Sequence, residues 1–144
     1  MIFIDNQTES LINIDILENI SNYLNIDRDI ELIIVDNCKI KDINKEQRGI
    51  DRPTDVLSFP IVGDKPLPLG SIVISIDKVK DASSTLGHSI DYEIALIFTH
   101  GLLHLLGFDH EEDDGQMREK EREIMLKFNL PKTLIVRVEE GKSC

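Results

Sequence analysis

Three histidines, His100, His104 and His110, have the residue type and the spacing for metal chemistry. Residues four apart project from adjacent turns of one helical face, which lets two imidazoles converge on one ion. A third ligand must come from beyond the helix, and Gly107 supplies the break, since glycine enters the left-handed conformation without penalty. The spacing i, i+4 and i+10 therefore predicts a site for one metal ion.

Neutral imidazoles suit a borderline ion such as Zn2+, which we predict as the cofactor. Three protein ligands leave the fourth position to water, and this open position distinguishes catalytic zinc sites from structural ones. Bound zinc lowers the pKa of its water to about 7 and polarises a phosphoryl or carbonyl oxygen as a Lewis acid. The expected reaction class is hydrolysis.

The alternative is that His100 and His104 are core histidines that hydrogen-bond within a buried helix. Two buried imidazoles on one face, with a third beyond a glycine turn, would be costly without shared ligation, so we favour the metal site. His88 lies outside this spacing and is interpreted as a surface residue at a helix end. Asp109 either accepts a hydrogen bond from a ligand histidine or, as its spacing to Glu112 favours, caps a helix.

Zinc proteases share this spacing in the signature H-E-x-x-H-x-x-G-x-x-H, in which the glutamate is the general base. Gly101 occupies the position of that glutamate. Because glycine has no proton-accepting side chain, the ligand spacing survives while the base of the protease mechanism is lost. The substitution argues against peptide hydrolysis.

The helix that positions the first two histidines is expected to be central, because almost every position from Ile94 to Leu106 is apolar. Around it, the hydrophobic pattern predicts strands at residues 2–5, 30–35, 56–59 and 72–76. It also predicts helices at residues 11–24, through Ile40 and Ile43 to Arg48, at 77–86 and at 111–128. This alternation predicts a mixed sheet covered by helices in a layered α+β or α/β domain.

The chain of 144 residues contains no repeat, linker or low-complexity tract, so we expect one domain over residues 1–144 with a frayed tail after Val138. The two cysteines, Cys38 and Cys144, do not make a disulfide framework, and the N-terminus does not resemble a signal peptide. The longest apolar stretch, residues 94–106, is too short to span a bilayer. These observations predict a cytoplasmic protein without a membrane segment.

The net charge of −11 opposes general binding to nucleic acid, because phosphate contacts supply most of the non-specific affinity. Much of the acid lies in the C-terminal third, whereas residues 39–52 are locally basic, with five cations against three acidic residues. A local cationic patch on an acidic protein is compatible with an RNA substrate. A solvated charged face explains the same residues equally well.

Residues 100–110, HGLLHLLGFDH, closely resemble the hallmark of the YbeY family of bacterial endoribonucleases. A second block supports the resemblance, formed by residues 43–49 and then by RPTDVLSFP at residues 52–60. Residues 69–74 are similar to a third family signature. The resemblance spans about residues 43–125, most of the chain.

This resemblance implies a metal-dependent, single-strand-specific endoribonuclease that matures ribosomal RNA, notably the small-subunit 3′ end, and takes part in ribosome quality control. It implies single-stranded or ribosomal RNA as the partner, with small-subunit ribosomal proteins and assembly factors as further candidates. It also implies a zincin-like α+β fold, in which a small mixed four-stranded sheet is packed with about five helices and the central helix carries two metal ligands.

The same resemblance assigns the catalytic role to Arg48, beside the metal cleft. A guanidinium can hold a phosphate bidentately and stabilise charge in the transition state. Without the resemblance, Arg48 would be interpreted as a cation at a helix C-terminus that faces solvent. Three positions depart from the family pattern, since Gln47 replaces an aromatic residue, Ser71 an aspartate and Phe108 a tyrosine. Ser71 matters most if that aspartate organises the cleft.

Two other functions remain open from the sequence. One is a metalloprotease of unusual mechanism, and the other is a non-catalytic ribosome-assembly factor whose metal only supports the fold. The sequence also leaves open the attacking group, which is either water or the RNA 2′-hydroxyl. It does not specify the physiological metal, the RNA cleavage site or the oligomeric state.

Overall fold

The computed structural model describes residues 1–108 and 115–130, and these residues form four strands and five helices. The strands are β1 (Ile2–Asn6), β2 (Ile30–Val35), β3 (Val56–Pro60) and β4 (Gly70–Ser75). The helices are α1 (Ile14–Tyr23), α2 (Asn37–Arg48), α3 (Ile76–Leu86), α4 (Ile90–Leu105) and α5 (Gln116–Phe128). The predicted frayed tail after Val138 lies outside the described residues.

The four strands form one mixed sheet in the order β1-β2-β4-β3. β1, β2 and β4 run parallel, and α1 makes the crossover that a parallel connection from β1 to β2 requires. β3 follows α2 in the chain and pairs antiparallel with β4 through a hairpin, which places β3 at the edge of the sheet. The predicted α+β fold, with a mixed four-stranded sheet and five helices, is confirmed.

Alternation along the strands gives the sheet two apolar faces. On one face, Ile72 and Ile74 of β4 belong to the main core together with residues of α1, α4 and α5. On the other face, Val73 of β4 and Leu57 of β3 pack with Ile40 of α2. α4 and α2 therefore cover opposite faces of the sheet.

α4 is the central helix, as the apolar pattern predicts, and 12 of its 16 residues are buried. It contacts β3, β4, α1, α3 and α5. The Ser89 side chain caps its N-terminus by accepting a hydrogen bond from the backbone N–H of Tyr92. Tertiary packing on these sides, more than helix propensity, stabilises α4. None of the helices in the described ranges is both long enough and apolar enough to cross a membrane.

The start of α1 differs from the predicted one. The apolar spacing predicts a helix from Leu11, but α1 begins at Ile14, and Leu11 is 93% exposed. The Asn13 side chain accepts a hydrogen bond from the backbone N–H of Asp15, so a capping residue and not the apolar period sets this boundary. The predicted start of the last helix, residues 111–114, lies outside the described residues.

α4 approaches the sheet closely at Gly101. A Cβ atom at this position would lie 3.1 Å from Ile72 Cγ2, 3.1 Å from Ser58 Oγ and 3.4 Å from Val56 Cγ2. The Ser58 hydroxyl donates a hydrogen bond to the Gly101 carbonyl oxygen at 3.3 Å. The missing side chain thus allows the helix backbone to lie directly on β3 and β4.

Gly101→Glu, which restores the glutamate of the protease signature, is expected to lower the free energy of unfolding by about 3 kcal/mol or more. Ile72, Ser58 and Val56 already fill the space, and an unpaired buried charge is costly. Urea denaturation at neutral pH measures the change. Ser84→Glu, at an exposed position of α3, is the control and should shift stability by less than about 0.5 kcal/mol. Similar effects of the two substitutions would contradict the close contact.

α5 is attached to α1 by a contact outside the core. The Tyr23 hydroxyl donates a hydrogen bond to Glu123 Oε2 at 2.6 Å, and the Tyr23 ring meets Phe128 edge to face with centroids 5.8 Å apart. The hydrogen bond lowers the pKa of Glu123 and raises the pKa of Tyr23. Met117 and Ile124 of α5 are fully buried. Both a polar surface contact and core packing therefore hold this helix in place.

Tyr23→Phe is expected to raise the pKa of Glu123 toward that of an ordinary glutamate, about 4.3. Because the pKa of Glu123 is lower in the folded than in the unfolded protein, its contribution to stability is present above the unfolded pKa and is lost as pH falls through the folded pKa. The substitution should therefore reduce the acid-induced loss of stability. NMR titration of the Glu123 carboxyl measures the pKa, and Tyr92→Phe, at an exposed position of α4, should leave it unchanged. A Glu123 titration that Tyr23→Phe does not alter would show that the hydrogen bond is absent in solution.

Candidate metal centre

His100 and His104 lie one turn apart on α4, and their rings meet. The two Nε2 atoms are 3.1 Å apart, and the ring planes are nearly perpendicular, with centroids 4.7 Å apart. His100 is 8% exposed and His104 is half-buried. The structure thus brings together the two helical members of the predicted ligand set.

The turn that ends α4 contacts the Nδ1 atom of His104. Gly107 adopts a positive φ of 99°. In the resulting turn, the Gly107 N–H donates to the His104 carbonyl and the Phe108 N–H donates to the Leu103 carbonyl, both at 3.0 Å. This turn places the Phe108 carbonyl oxygen 3.0 Å from His104 Nδ1. Because a carbonyl oxygen only accepts, Nδ1 carries the proton and Nε2 presents a lone pair. The predicted helix break at Gly107 is confirmed.

The Nδ1 atom of His100 faces a carboxylate from α5. Glu121 Oε1 lies 3.4 Å from it, and Glu121 is 3% exposed. A carboxylate oxygen also accepts, so this contact favours the same tautomer, with the proton on Nδ1 and the lone pair on Nε2. Both rings therefore favour the Nδ1–H tautomer, His100 because of a carboxylate from α5 and His104 because of a carbonyl in the turn after α4.

The two Nε2 atoms consequently face each other as acceptors. A hydrogen bond between them would require one ring to carry two protons, whereas a metal cation bound by both nitrogens satisfies both lone pairs. Tetrahedral zinc sites have zinc–nitrogen distances of about 2.0–2.1 Å, which places two ligand nitrogens about 3.3 Å apart. The observed separation of 3.1 Å is close to this value. The residues present fit the predicted ion.

His110, the third predicted ligand, lies outside the described residues, as does Asp109. Within residues 1–108 and 115–130, no group of three or more His, Cys, Asp or Glu residues is arranged to hold a metal ion. The described part of the site is therefore the pair His100 and His104. The participation of His110 and the choice of zinc stay predictions.

Arg48 is the last residue of α2 and is exposed. It lies in the last helical turn with Lys45, where cations are favoured, and Gly49 caps the helix in the left-handed conformation. Among the described contacts, no hydrogen bond or ion pair joins Arg48 to either histidine. Its catalytic role stays a prediction.

Ser71, where the family pattern has aspartate, lies on the sheet face opposite α4. Its neighbour Ile72 is the residue of β4 that faces Gly101, and alternation turns Ser71 the other way. The Ser71 hydroxyl donates a hydrogen bond to Glu31 Oε1 at 2.8 Å, and the two residues are paired in the register of β2 and β4. This departure from the family pattern is thus separated from the histidine pair by the sheet.

Glu121 is a functional candidate that the sequence interpretation missed, because this residue was considered only as part of the acid in the C-terminal third of the chain. Met117 precedes it by four residues and Ile124 follows it by three, and both are fully buried. This spacing is the period of the buried face of a helix, and it would have identified Glu121 as an inward-facing acid.

Glu93 and His88 form a second, partly buried contact that the sequence did not reveal. Glu93 is 1% exposed, and its Oε1 atom lies 2.7 Å from His88 Nε2. The His88 side chain is 12% exposed. His88 lies at a helix end, as interpreted from the sequence, between Gly87 at the C-cap of α3 and Ser89 at the N-cap of α4, but its ring is largely covered and pairs with a buried acid.

Gly107→Ala is expected to weaken zinc binding, because a Cβ atom disfavours the positive φ that places the Phe108 carbonyl beside His104. Gly87→Ala, at the C-cap of α3 with a φ of 74°, is a matched control. A Cβ at either glycine would meet no other atom within 4 Å, so both substitutions should cost about 1–2 kcal/mol through backbone strain. Calorimetric zinc titration and urea denaturation measure the two effects. Equal zinc affinities in the two variants and the wild type would show that the Gly107 turn does not contribute to zinc binding.

Comparison with known proteins identifies the family of this α+β protein. Residues 3–129 match the family described as Endoribonuclease YbeY. Proteins with that name from Wolinella succinogenes and Nautilia profundicola are 53% and 54% identical to this chain, each over 140 residues. These alignments cover 97% of this chain and 99% and 100% of the two relatives.

A solved structure extends the similarity to the fold. The solution structure of TM1509 from Thermotoga maritima aligns with a TM-score of 0.60 at 29% identity, covering 90% of this chain and 92% of that one. The chain belongs to the YbeY family.

Proposed function

We propose that this protein is an endoribonuclease that depends on one Zn2+ ion held by His100, His104 and His110. The observation that carries the proposal is the 3.1 Å approach of two Nε2 atoms on rings whose Nδ1 atoms both face acceptors. The substrate class comes from the family, since relatives more than 50% identical to this chain are named endoribonucleases. The proposal assigns the activity to a single domain of residues 1–144.

The protein's part in the chemistry begins with the two imidazoles. The Phe108 carbonyl and the Glu121 carboxylate hold the Nδ1 protons, so that both Nε2 atoms are ready to bind. When bound, the ion supplies a Lewis acid for the phosphodiester group. Because the sheet and three helices enclose α4, little reorganisation is needed on binding.

We assign to Arg48 the contact with the scissile phosphate. Lys41 and Lys45 of the same helix each lie 3.9 Å from a carboxylate oxygen of Asp51, whereas Arg48 is exposed and forms no ion pair among the described residues. A guanidinium that is not already neutralised can hold a phosphate bidentately and stabilise developing charge. On a protein with a net charge of −11, such a local cation compensates for weak general affinity for phosphates.

Gly101 opposes the protease alternative. The position that carries the general base in zinc proteases has no side chain here, and it packs against Ile72 and Ser58. Turnover of a peptide substrate by the zinc-loaded protein would nevertheless favour that function over the present proposal.

We further propose that the substrate is single-stranded ribosomal RNA in the cytoplasm, cleaved during maturation of the small-subunit 3′ end and in ribosome quality control. Small-subunit ribosomal proteins and assembly factors are the corresponding partners. This part of the proposal rests on the resemblance of residues 52–60 and 100–110 to the family signatures.

The proposal is tested with zinc-loaded wild type, His104→Ala and Arg48→Ala, incubated with single-stranded and duplex fragments of ribosomal RNA. Wild type should bind one zinc per chain and cut the single-stranded fragment. His104→Ala should lose both zinc binding and cleavage, and Arg48→Ala should bind zinc normally while its cleavage rate falls on the order of 100-fold. A 2′,3′-cyclic phosphate product would identify the ribose hydroxyl as the attacking group, and a 3′-hydroxyl or monophosphate would identify water.

Two variants serve as controls for this experiment. His88→Gln removes the histidine outside the site while keeping a hydrogen-bond donor for Glu93, and Lys80→Ala removes an exposed cation of α3. Both should cleave RNA at the wild-type rate. Equal cleavage by all five proteins would show a contaminating nuclease and contradict the proposal. If zinc-loaded wild type cuts no RNA and chelation unfolds it, the ion supports the fold alone, as in the assembly-factor alternative.

A further inference from the structure

Glu121 occupies a position where helix geometry calls for an apolar residue. It lies on the inward face of α5 between Met117 and Ile124, which are both fully buried, and is itself 3% exposed. Burying a carboxylate is costly unless hydrogen bonds satisfy its oxygens. The acid at this position therefore requires an explanation in terms of what its oxygens contact.

The hydrogen bonds of Glu121 are incomplete. Oε1 lies 3.4 Å from His100 Nδ1, and buried Oε2 has no hydrogen-bond partner among the described residues. A carboxylate satisfied on one side by a single long contact stabilises the fold poorly, and an apolar side chain of similar size would serve packing better. Packing alone does not account for Glu121.

The two rings of the histidine pair differ in what controls them. A backbone carbonyl of the helix-ending turn holds His104 Nδ1, so replacing the Phe108 side chain does not remove that acceptor. The described acceptor for His100 Nδ1 is a side chain from a different helix. In metal sites, a carboxylate in this position fixes the tautomer and orientation of the ligand ring and raises its basicity. An imidazole bound to a cation through Nε2 is also a stronger donor through Nδ1, so metal binding would strengthen the contact of the buried carboxylate.

We propose that Glu121 is the positioning residue of the metal site, whose carboxylate holds His100 in the Nδ1–H tautomer and thereby sets the affinity for the ion. The metal part of this inference rests on the proposed function. The tautomer part concerns only the protein without metal. Glu121 acts through His100 and is assigned no contact with the substrate.

The first measurement needs no substitution. Long-range nitrogen–proton NMR spectra of the metal-free wild type at about pH 8, where imidazoles are neutral, report which nitrogen of each ring carries the proton. Both His100 and His104 should be protonated on Nδ1. A proton on Nε2 of His100 would overturn the proposal, whatever the protein does with RNA.

The second measurement uses Glu121→Gln, with Glu119→Gln at an exposed position of α5 as the matched control. The glutamine amide can accept from or donate to Nδ1, so His100 should become a mixture of tautomers while His104, held by the Phe108 carbonyl, stays unchanged and serves as an internal standard. Calorimetry should show zinc affinity reduced on the order of 10- to 100-fold in Glu121→Gln and unchanged in Glu119→Gln. The metal-free variant should be at least as stable as wild type in urea, because a poorly satisfied buried charge has been removed.

The outcomes separate this inference from the proposed function. Unchanged tautomers and zinc affinity within twofold of wild type in Glu121→Gln would overturn the positioning role while leaving the three-histidine site intact. A metal-free variant that is less stable than wild type, with His100 still protonated on Nδ1, would show a packing role and would also overturn it. If wild type binds no zinc, the proposed function fails, and the tautomer of His100 in the metal-free protein still decides the role of Glu121.

Discussion

The burial of α4 is the constraint on which the rest of the structure depends. A helix that is apolar on nearly every side must be enclosed, and here the sheet covers one side while α1, α3 and α5 cover the others. Any polar group on such a helix needs a partner, since an unsatisfied buried donor or acceptor costs about 1–3 kcal/mol. His100 and His104 meet this requirement at Nδ1 through the Glu121 carboxylate and the Phe108 carbonyl, while their two Nε2 atoms face each other at 3.1 Å. The chemistry of the site follows from how their polarity is satisfied.

Much of the architecture was accessible from the sequence because it follows local periodicity. The β-branched run at Ile30–Val35 is a strand with the predicted bounds, and the apolar stretch of α4 is the central helix. Strand order was not accessible, because pairing between β2 and β4 depends on packing between residues far apart in the chain. The start of α1 also escaped, since Asn13 can cap a helix or lie in a loop, and only the structure distinguishes these.

The candidate site likewise contains residues that the sequence could pair and residues that it could not. Histidines four residues apart on one helix are neighbours by geometry alone, so His100 and His104 could be paired from the sequence. Glu121 is 21 residues away on another helix, and composition placed it in a charged run. Arg48 ends a helix on the far side of the sheet, but residues 49–55 lead from it to β3, the edge strand on which α4 lies. The chain thus crosses from the α2 face to the α4 face of the sheet at the β3 edge, which contacts Gly101. Local sequence patterns do not predict this crossing.

The attachment of α5 has a thermodynamic consequence for the site. One acceptor of the histidine pair belongs to this helix, so the pair is complete only while α5 is docked through Tyr23 and the core. An ion that binds the docked state alone adds its binding free energy to the docking equilibrium, by RT ln(1 + [L]/Kd). The coupling would be reciprocal, so a substitution that loosens α5 would weaken binding of such an ion even where the substituted residue does not contact the histidines. For such an ion, docking of α5 and binding at the histidine pair would be linked by one coupling free energy.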